Sequence, residues 1–169
     1  RNLRRLSALI DRSLVEARVD SGNEHRRRVS VRELIEEAEV DGALEADARR
    51  LALSVASVDR EIHIDVDRQI LSGAIANLLH NAFKFSELGS QITLTVTANA
   101  DRVCFAVQDQ CGGLAAGNTE ELFIPFTQWD ANRTGIGLGL SIARRGIEAD
   151  GGTIQVKDVP GVGCIFTID

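Results

Sequence analysis

Long apolar runs are missing from this chain of 169 residues. None approaches the roughly 20 residues that a membrane-spanning helix needs. The Arg-rich start also lacks the continuous apolar region of a secretory leader. A longer parent protein is compatible with either feature. A basic surplus is missing too: the formal charge is −6, which argues against a nucleic-acid partner. One dense basic patch, Arg26, Arg27 and Arg28, reads as a solvated linker. Cysteines are few and odd in number, Cys104, Cys111 and Cys164, with no Cys-x-x-Cys pair. A zinc site is therefore not expected, and a reducing compartment fits. Cys104 and Cys164 fall in strand-like segments and read as buried small hydrophobes. Internal repeats and low-complexity tracts are absent. What is there, 44% hydrophobic and 26% charged residues, is the composition of a globular chain with one good core.

Residues 1–20 predict a helix. Leu3, Leu6, Ile10, Leu14 and Ala17 recur at steps of three and four, and such a stripe needs a partner surface. Ser21, Gly22 and Asn23 end it. A short strand is expected over 29–31, then a helix over 32–48 with Leu34, Ile35, Ala38 and Leu44 inward; Gly42 weakens that helix. Residues 51–56 and 61–66 read as short strands. Asp67 is a candidate N-cap for a helix reaching Phe85, with a broad apolar face from Ile70 to Ala82. Two strands follow at 92–98 and 103–109. Residues 111–136 are aperiodic and Gly-containing, and a loop that long usually serves function or is disordered. A helix over 138–149 and a hairpin over 153–168 complete the chain. Strand runs interleaved with helices predict an α+β fold, a mixed sheet with helices on one face.

Four stretches carry chemistry. In the helix ending at Phe85, Asn77, Asn81 and Lys84 are spaced by four and three and share one edge. Two carboxamides and an ammonium there suit a hard cation shared with phosphates, although an ordinary solvated edge fits this helix equally well. Asp109-Gln-Cys-Gly112-Gly113 follows an apolar strand; a carboxylate can accept from an amine, and glycines let backbone come close. A plain turn has the same residues. Phe123 and Phe126 are two large apolar groups able to anchor the long loop, or to form a satellite cluster. Gly135-Ile-Gly137-Leu138-Gly139-Leu140-Ser141 runs into a helix, where exposed amides and the dipole favour an anion. The Walker lysine is missing, and the context is not that of a Rossmann fingerprint.

Together these stretches resemble the histidine-kinase branch of the GHKL ATP-binding superfamily. NLLHNAFKF resembles its asparagine box, DQCGGL its first glycine box, LFIPF its phenylalanine box and GIGLGL its second glycine box, in family order. The resemblance implies a two-layer α/β sandwich of the Bergerat type. It divides the chain into 1–22, the second helix of a dimerisation and histidine-phosphotransfer domain, and 23–169, an ATP-binding catalytic domain. It implies ATP and Mg2+ as ligands, with Asn81 holding the metal and Asn77 lining the same site. Lys84 is implied to contact phosphate and Phe85 to lie near base or ribose. Asp109 would accept from the adenine amine, with Gly113 supporting that pocket. Gln128 would stand near the γ-phosphate. Gly135, Gly137, Leu138, Gly139 and Leu140 would form the lid end and helix start around the phosphates.

Gyrase-type ATP hydrolases of the superfamily place a glutamate four residues before the magnesium asparagine. Here that residue is Asn77, and an amide cannot act as a carboxylate base. The resemblance therefore implies transfer to a histidine, for relay to an aspartate on a response-regulator receiver domain. The unpartnered apolar stripe over 1–20 suggests a homodimer in the parent. It also implies a cytoplasmic domain, whether or not the parent is membrane-anchored. His25 reads as a linker residue, His63 as a strand residue and His80 as a helix residue beside the site, so the acceptor is expected outside this stretch. Two positions depart from the pattern. Cys111 replaces the first glycine of its box, and Ile136 stands where threonine is usual. Cys111 keeps a second reading open, a degenerate regulatory domain that binds nucleotide weakly and signals by contact. A hydrolase of the same fold is a third reading, disfavoured by Asn77.

Overall fold

The computed structural model describes residues 25–59, 61–114, 119–127 and 137–169. The helix expected over 1–20 lies outside them. Strand β1 (Arg27–Ser30) leads into helix α1 (Val31–Ala48). Ser30 caps that helix by accepting from Glu33 N at 3.4 Å, the spacing of a capping box. Strands β2 (Ala52–Val55) and β3 (His63–Val66) follow, then helix α2 (Arg68–Phe85). Asp67 caps α2 as expected: its Oδ1 accepts from Gln69 N at 2.9 Å and Ile70 N at 3.3 Å. Strands β4 (Gln91–Ala98) and β5 (Val103–Gln108), a 3-10 turn (Thr119–Phe123), helix α3 (Gly139–Ala149) and strands β6 (Ile154–Val159) and β7 (Gly163–Ile168) complete the order.

The main sheet runs β2-β4-β5-β7-β6, parallel between β2 and β4 and antiparallel elsewhere. Alternation decides its buried face. Ile92 and Leu94, Phe105 and Val107, and Cys164, Phe166 and Ile168 point under the helices, while Thr93, Thr95 and Thr97 lie on the other side. This is the period-two pattern of a sheet covered on one face. Leu78, at the middle of α2, is fully buried and belongs to the same core as Ile75 and Leu34. Each such side chain contributes on the order of 1.5–3 kcal/mol by burial. The expected α+β sandwich is thus the observed one.

Three local readings are corrected. Leu44 is 76% exposed; it stands on the outer side of α1. Gly42, which weakens α1 by propensity, is buried, and a Cβ there would lie 2.9 Å from Leu53 Cδ2 and 3.4 Å from Phe83 Cζ. The glycine lets α1 pack closely on β2 and α2, and a side chain there would make Leu53 shift. Strand β1 pairs antiparallel with β3 in a separate two-stranded sheet, Val29 opposite Ile64. This pairing makes the start of the domain structural rather than linker-like. Arg26 donates from Nη1 to the Asp150 carbonyl at 2.8 Å and lies 3.6 Å from its carboxylate. Asp150 in turn accepts from Asp67 N at 3.0 Å, so the arginine joins the entry of β1 to the ends of α2 and α3. No described helix is long and apolar enough to cross a membrane.

Candidate nucleotide site

The polar edge of α2 faces α3. At Gly139, the first residue of α3, a Cβ would stand 2.8 Å from Asn77 Oδ1. The carboxamide oxygen therefore occupies space that only glycine leaves open. Asn81 lies one turn further along the same edge and is half-buried. Lys84 Nζ sits 4.3 Å over the ring of Phe85, a cation–π arrangement that places both residues at the C-terminal end of α2. Phe85 is 40% exposed. The opposite edge of α2 faces α1, and His80 belongs there: its Nδ1 is 3.0 Å from Glu45 Oε1. The expectation that His80 lies beside the site is corrected: its side chain meets Glu45 of α1 instead. His63 is exposed on β3, with Nδ1 3.0 Å from its neighbour Glu61's carbonyl.

Asp109 follows directly on β5 and is only 3% exposed. Its Oδ1 accepts from Cys164 N at 2.8 Å and Cys111 N at 3.2 Å, and its own N–H donates to the Cys164 carbonyl at 3.0 Å. Gly163 explains the burial: a Cβ there would lie 2.2 Å from the Asp109 carbonyl oxygen. The glycine box is then folded on the β6–β7 turn by Gly161 N to Gly112 O at 2.9 Å and Gly112 N to Val162 O at 3.1 Å. Gly112 and Gly113 carry the left-handed backbone, φ +83° and +92°. Cys111 does not, so its Cβ is no conformational burden. Its thiol lies against Cys164, Sγ to Sγ 3.7 Å. Cys104 is half-buried rather than buried, its thiol 3.4 Å from Asp169 Oδ1.

Contacts between described residues join the boxes. Ser86 Oγ, just past α2, accepts from Gln110 N at 3.4 Å, so the Phe85 end of the asparagine box abuts the first glycine box. Another contact is Asn77 against Gly139. Helix α3 begins without a side-chain cap, which leaves its first-turn amides for another acceptor. Leu138 is buried at 3%, Leu140 is packed against the core, and Ser141 Oγ donates to the Leu138 carbonyl at 2.8 Å. Before α3, Phe126 N donates to the Gly137 carbonyl at 2.7 Å. A Cβ on Gly137 would lie 2.4 Å from the Thr127 carbonyl oxygen, and its φ is +73°. Gln128 and Gly135 fall outside the described residues.

The phenylalanine box divides. Phe123 is buried, while Phe126 is 61% exposed; one aromatic anchors and the other does not. The missed partner is Arg144 of α3, whose guanidinium stacks 4.8 Å from the Phe123 ring and reaches Glu120 at 2.6 Å and Glu148 at 2.8 Å. Only the Arg144–Glu148 spacing of four is visible in the sequence.

The donor set along the α2 edge fits a magnesium ion. It offers neutral carboxamide oxygens from Asn77 and Asn81, and magnesium takes oxygen ligands and shares them with substrate phosphates.

Comparison with known proteins agrees with this geometry. Residues 66–169 match the family described as histidine kinase-, DNA gyrase B-, and HSP90-like ATPase. The alginate biosynthesis sensor protein KinB of Pseudomonas aeruginosa is 36% identical over 120 residues, 71% of this chain and 20% of that protein. The sensor histidine kinase WalK of Bacillus subtilis is 30% identical over 115 residues, 64% of this chain and 19% of WalK. The chain thus spans about a fifth of each of these relatives. Full-length ShkA, crystallised in complex with AMPPNP, superposes with a TM-score of 0.79 at 27% identity, covering 98% of this chain and 35% of ShkA. The nucleotide-free catalytic domain of histidine kinase ThkA, at 23% identity, shares the fold with a TM-score of 0.75 over 85% of this chain and 93% of that one. The match over residues 66–169 and the sandwich that carries it place the chain in the histidine kinase-, DNA gyrase B-, and HSP90-like ATPase family.

Proposed function

We propose that this chain is the ATP-binding catalytic module of a two-component sensor histidine kinase. It would pass the γ-phosphoryl group of ATP to a histidine outside this stretch, for relay to an aspartate of a response-regulator receiver domain. The observation that carries the reading is Asn77 seated on Gly139, which brings the asparagine-box edge against an uncapped helix start. Residues 1–22 are assigned to a dimerisation and phosphotransfer domain and 23–169 to the catalytic domain, acting within a homodimer on the cytoplasmic side.

Asp109 has Oδ1 committed to two backbone amides; Oδ2 is the atom assigned to the adenine amine, with Gly113 shaping the pocket floor. Phe85 is assigned to the base or ribose. Lys84, Gln128 and the glycine-box amides from Gly135 to Leu140 orient and neutralise the phosphates. Such transfer depends on position and charge more than on covalent help from the protein. Asn81, with Asn77 beside it, is assigned to magnesium, which when bound neutralises charge on the phosphate oxygens. Asn77 offers no carboxylate to activate water, which favours transfer over hydrolysis.

Calorimetry with ATP, with and without magnesium, followed by incubation with labelled ATP, tests the reading. The expected result is magnesium-dependent binding with no phosphate on His25, His63 or His80. No binding at millimolar nucleotide would favour a regulatory domain instead, and steady phosphate release lost in Asn81→Ala would favour a hydrolase.

A further inference from the structure

We propose that Cys111 and Cys164 form a reversible disulfide when the protein meets a hydroperoxide, and that this bond weakens nucleotide binding. The second half of the proposal rests on the assignment of Asp109 to the adenine amine. The two sulfurs are 3.7 Å apart. Their backbones are held side by side because one oxygen, Asp109 Oδ1, accepts from both Cys111 N and Cys164 N. A disulfide needs such close backbones and an S–S distance of about 2.05 Å. The two thiols also differ in exposure. Cys111 is half-buried and reachable; Cys164 is buried.

Their chemistry is matched to that difference. Either thiol can donate in the S–H···S contact while both are neutral. Once Cys111 ionises, Cys164 must be the donor, and this hydrogen bond holds the Cys111 thiol below its ordinary range against desolvation and the Asp109 carboxylate. Cys164 is pushed up by the same hydrogen bond and by burial, with Asp109 and Asp158 facing it. The thiolate is the nucleophile in such reactions. Cys111 sulfur would attack hydrogen peroxide, the simplest such oxidant: an S–O bond forms, the O–O bond breaks, and the leaving hydroxide takes the proton that Cys111 gave up and becomes water. Cys164 sulfur then attacks the sulfenic acid: the S–S bond forms, the S–O bond breaks, and the departing hydroxide takes the Cys164 proton as a second water. Two thiols are oxidised by two electrons and one peroxide is reduced. Thiol–disulfide exchange with a small thiol reverses it.

Closing the sulfurs together draws the glycine-box loop onto β7. Cys111 N donates to Asp109 Oδ1 and Gly113 follows two residues on, so the backbone movement that accompanies closure is passed to the carboxylate and to the glycine. Asp109 and the two cysteines form the group with metal-ligating chemistry among the described residues. A metal there would take Asp109 Oδ2, the atom assigned to the adenine amine, because Oδ1 already accepts from two backbone amides; this favours the redox reading. Cys104 is a control within the chain: it lies five residues before Asp109 on β5, on the order of 17 Å away along an extended strand.

The test uses the whole chain, treated with hydrogen peroxide or with dithiothreitol, alkylated and mapped as peptides without reduction. The expected map shows a Cys111–Cys164 cross-link with Cys104 still alkylated. Calorimetry should then show magnesium-ATP binding weakened roughly fivefold or more, the lower end of typical coupling between sites, and restored by dithiothreitol. Cys164→Ala and Cys111→Ser should each show the same affinity before and after peroxide. Both cysteines remaining alkylatable after peroxide, or a disulfide that leaves affinity within twofold, would overturn the proposal. If the reduced chain binds no ATP while the cross-link still forms, the nucleotide-site reading fails and the thiol chemistry stands.

Discussion

Gly139→Ala probes the contact between the asparagine box and the start of α3. The new Cβ would stand 2.8 Å from Asn77 Oδ1 and 3.4 Å from its Cγ, where ordinary contacts begin at 3.4 Å. Backbone strain is not involved, because Gly139 is not among the glycines of positive φ. Alanine at a compatible position is favourable to folding by about 0.4–1 kcal/mol through the unfolded chain. Rotating Asn77 off its rotamer costs about 0.5–1.5 kcal/mol. The two roughly cancel in stability, so the melting temperature should hardly move. They do not cancel in binding, because only the displacement of Asn77 is felt by ligand. Magnesium-ATP affinity should fall about tenfold, or ~1.4 kcal/mol. The decisive measurement is a double-mutant cycle by calorimetry. In an Asn77→Ala background the clash is gone, and Gly139→Ala should change affinity little. Wild-type affinity in the single variant, or the same tenfold loss in the Asn77→Ala background, would refute the reasoning.

Asp109→Asn keeps an oxygen for the two backbone amides but presents an NH2 to an amine, so ATP affinity should fall about 100-fold, by ~2.7 kcal/mol, with about 1 kcal/mol lost in chemical denaturation as the charge-assisted hydrogen bonds weaken. Arg26→Ala should destabilise the domain by about 1–2 kcal/mol at neutral pH, since a charged partner of a largely buried carboxylate is removed. Burial already holds the Asp150 carboxyl above its usual range, with Arg26 acting in the opposite direction. A raised folded-state value means that the group contributes stability below its unfolded value and loses it as pH rises through the folded one. Without Arg26 the folded value rises further, so urea melts should show the variant's deficit largest at neutral pH and shrinking on acidification toward the carboxylate range.

The sequence is most informative where structure is local. The apolar stripe of α2, its Asp67 cap and the glycines at the start of α3 are all periodic or positional signals, and each stands where its spacing places it. Contacts between distant segments are another matter. Nothing near Val29 announces Ile64 as its partner, and nothing near Arg26 announces Asp150, because strand pairing and buried ion pairs are decided by the assembled sheet. Gly42 reads as a weak point of α1 since propensity ignores Leu53 and Phe83, which pack into the space that it leaves. Leu44 and Phe126 read as anchors because size marks a residue as apolar without saying which side it faces. The same blindness covers the cysteines: 53 residues of sequence separate two sulfurs that touch. Asn77, Asn81 and Asp109 are legible as chemistry, whereas the seating of Asn77 against Gly139 and of Asp109 against Gly163 shows only in three dimensions.

The hydrogen bond from Phe126 to Gly137 makes a clasp of the two chain ends that it joins. With a Cβ at Gly137 only 2.4 Å from the Thr127 carbonyl oxygen, any side chain there would prise that clasp apart. A change at one glycine would thus be felt at both ends of the fastening, in the phenylalanine box as well as at the approach to α3.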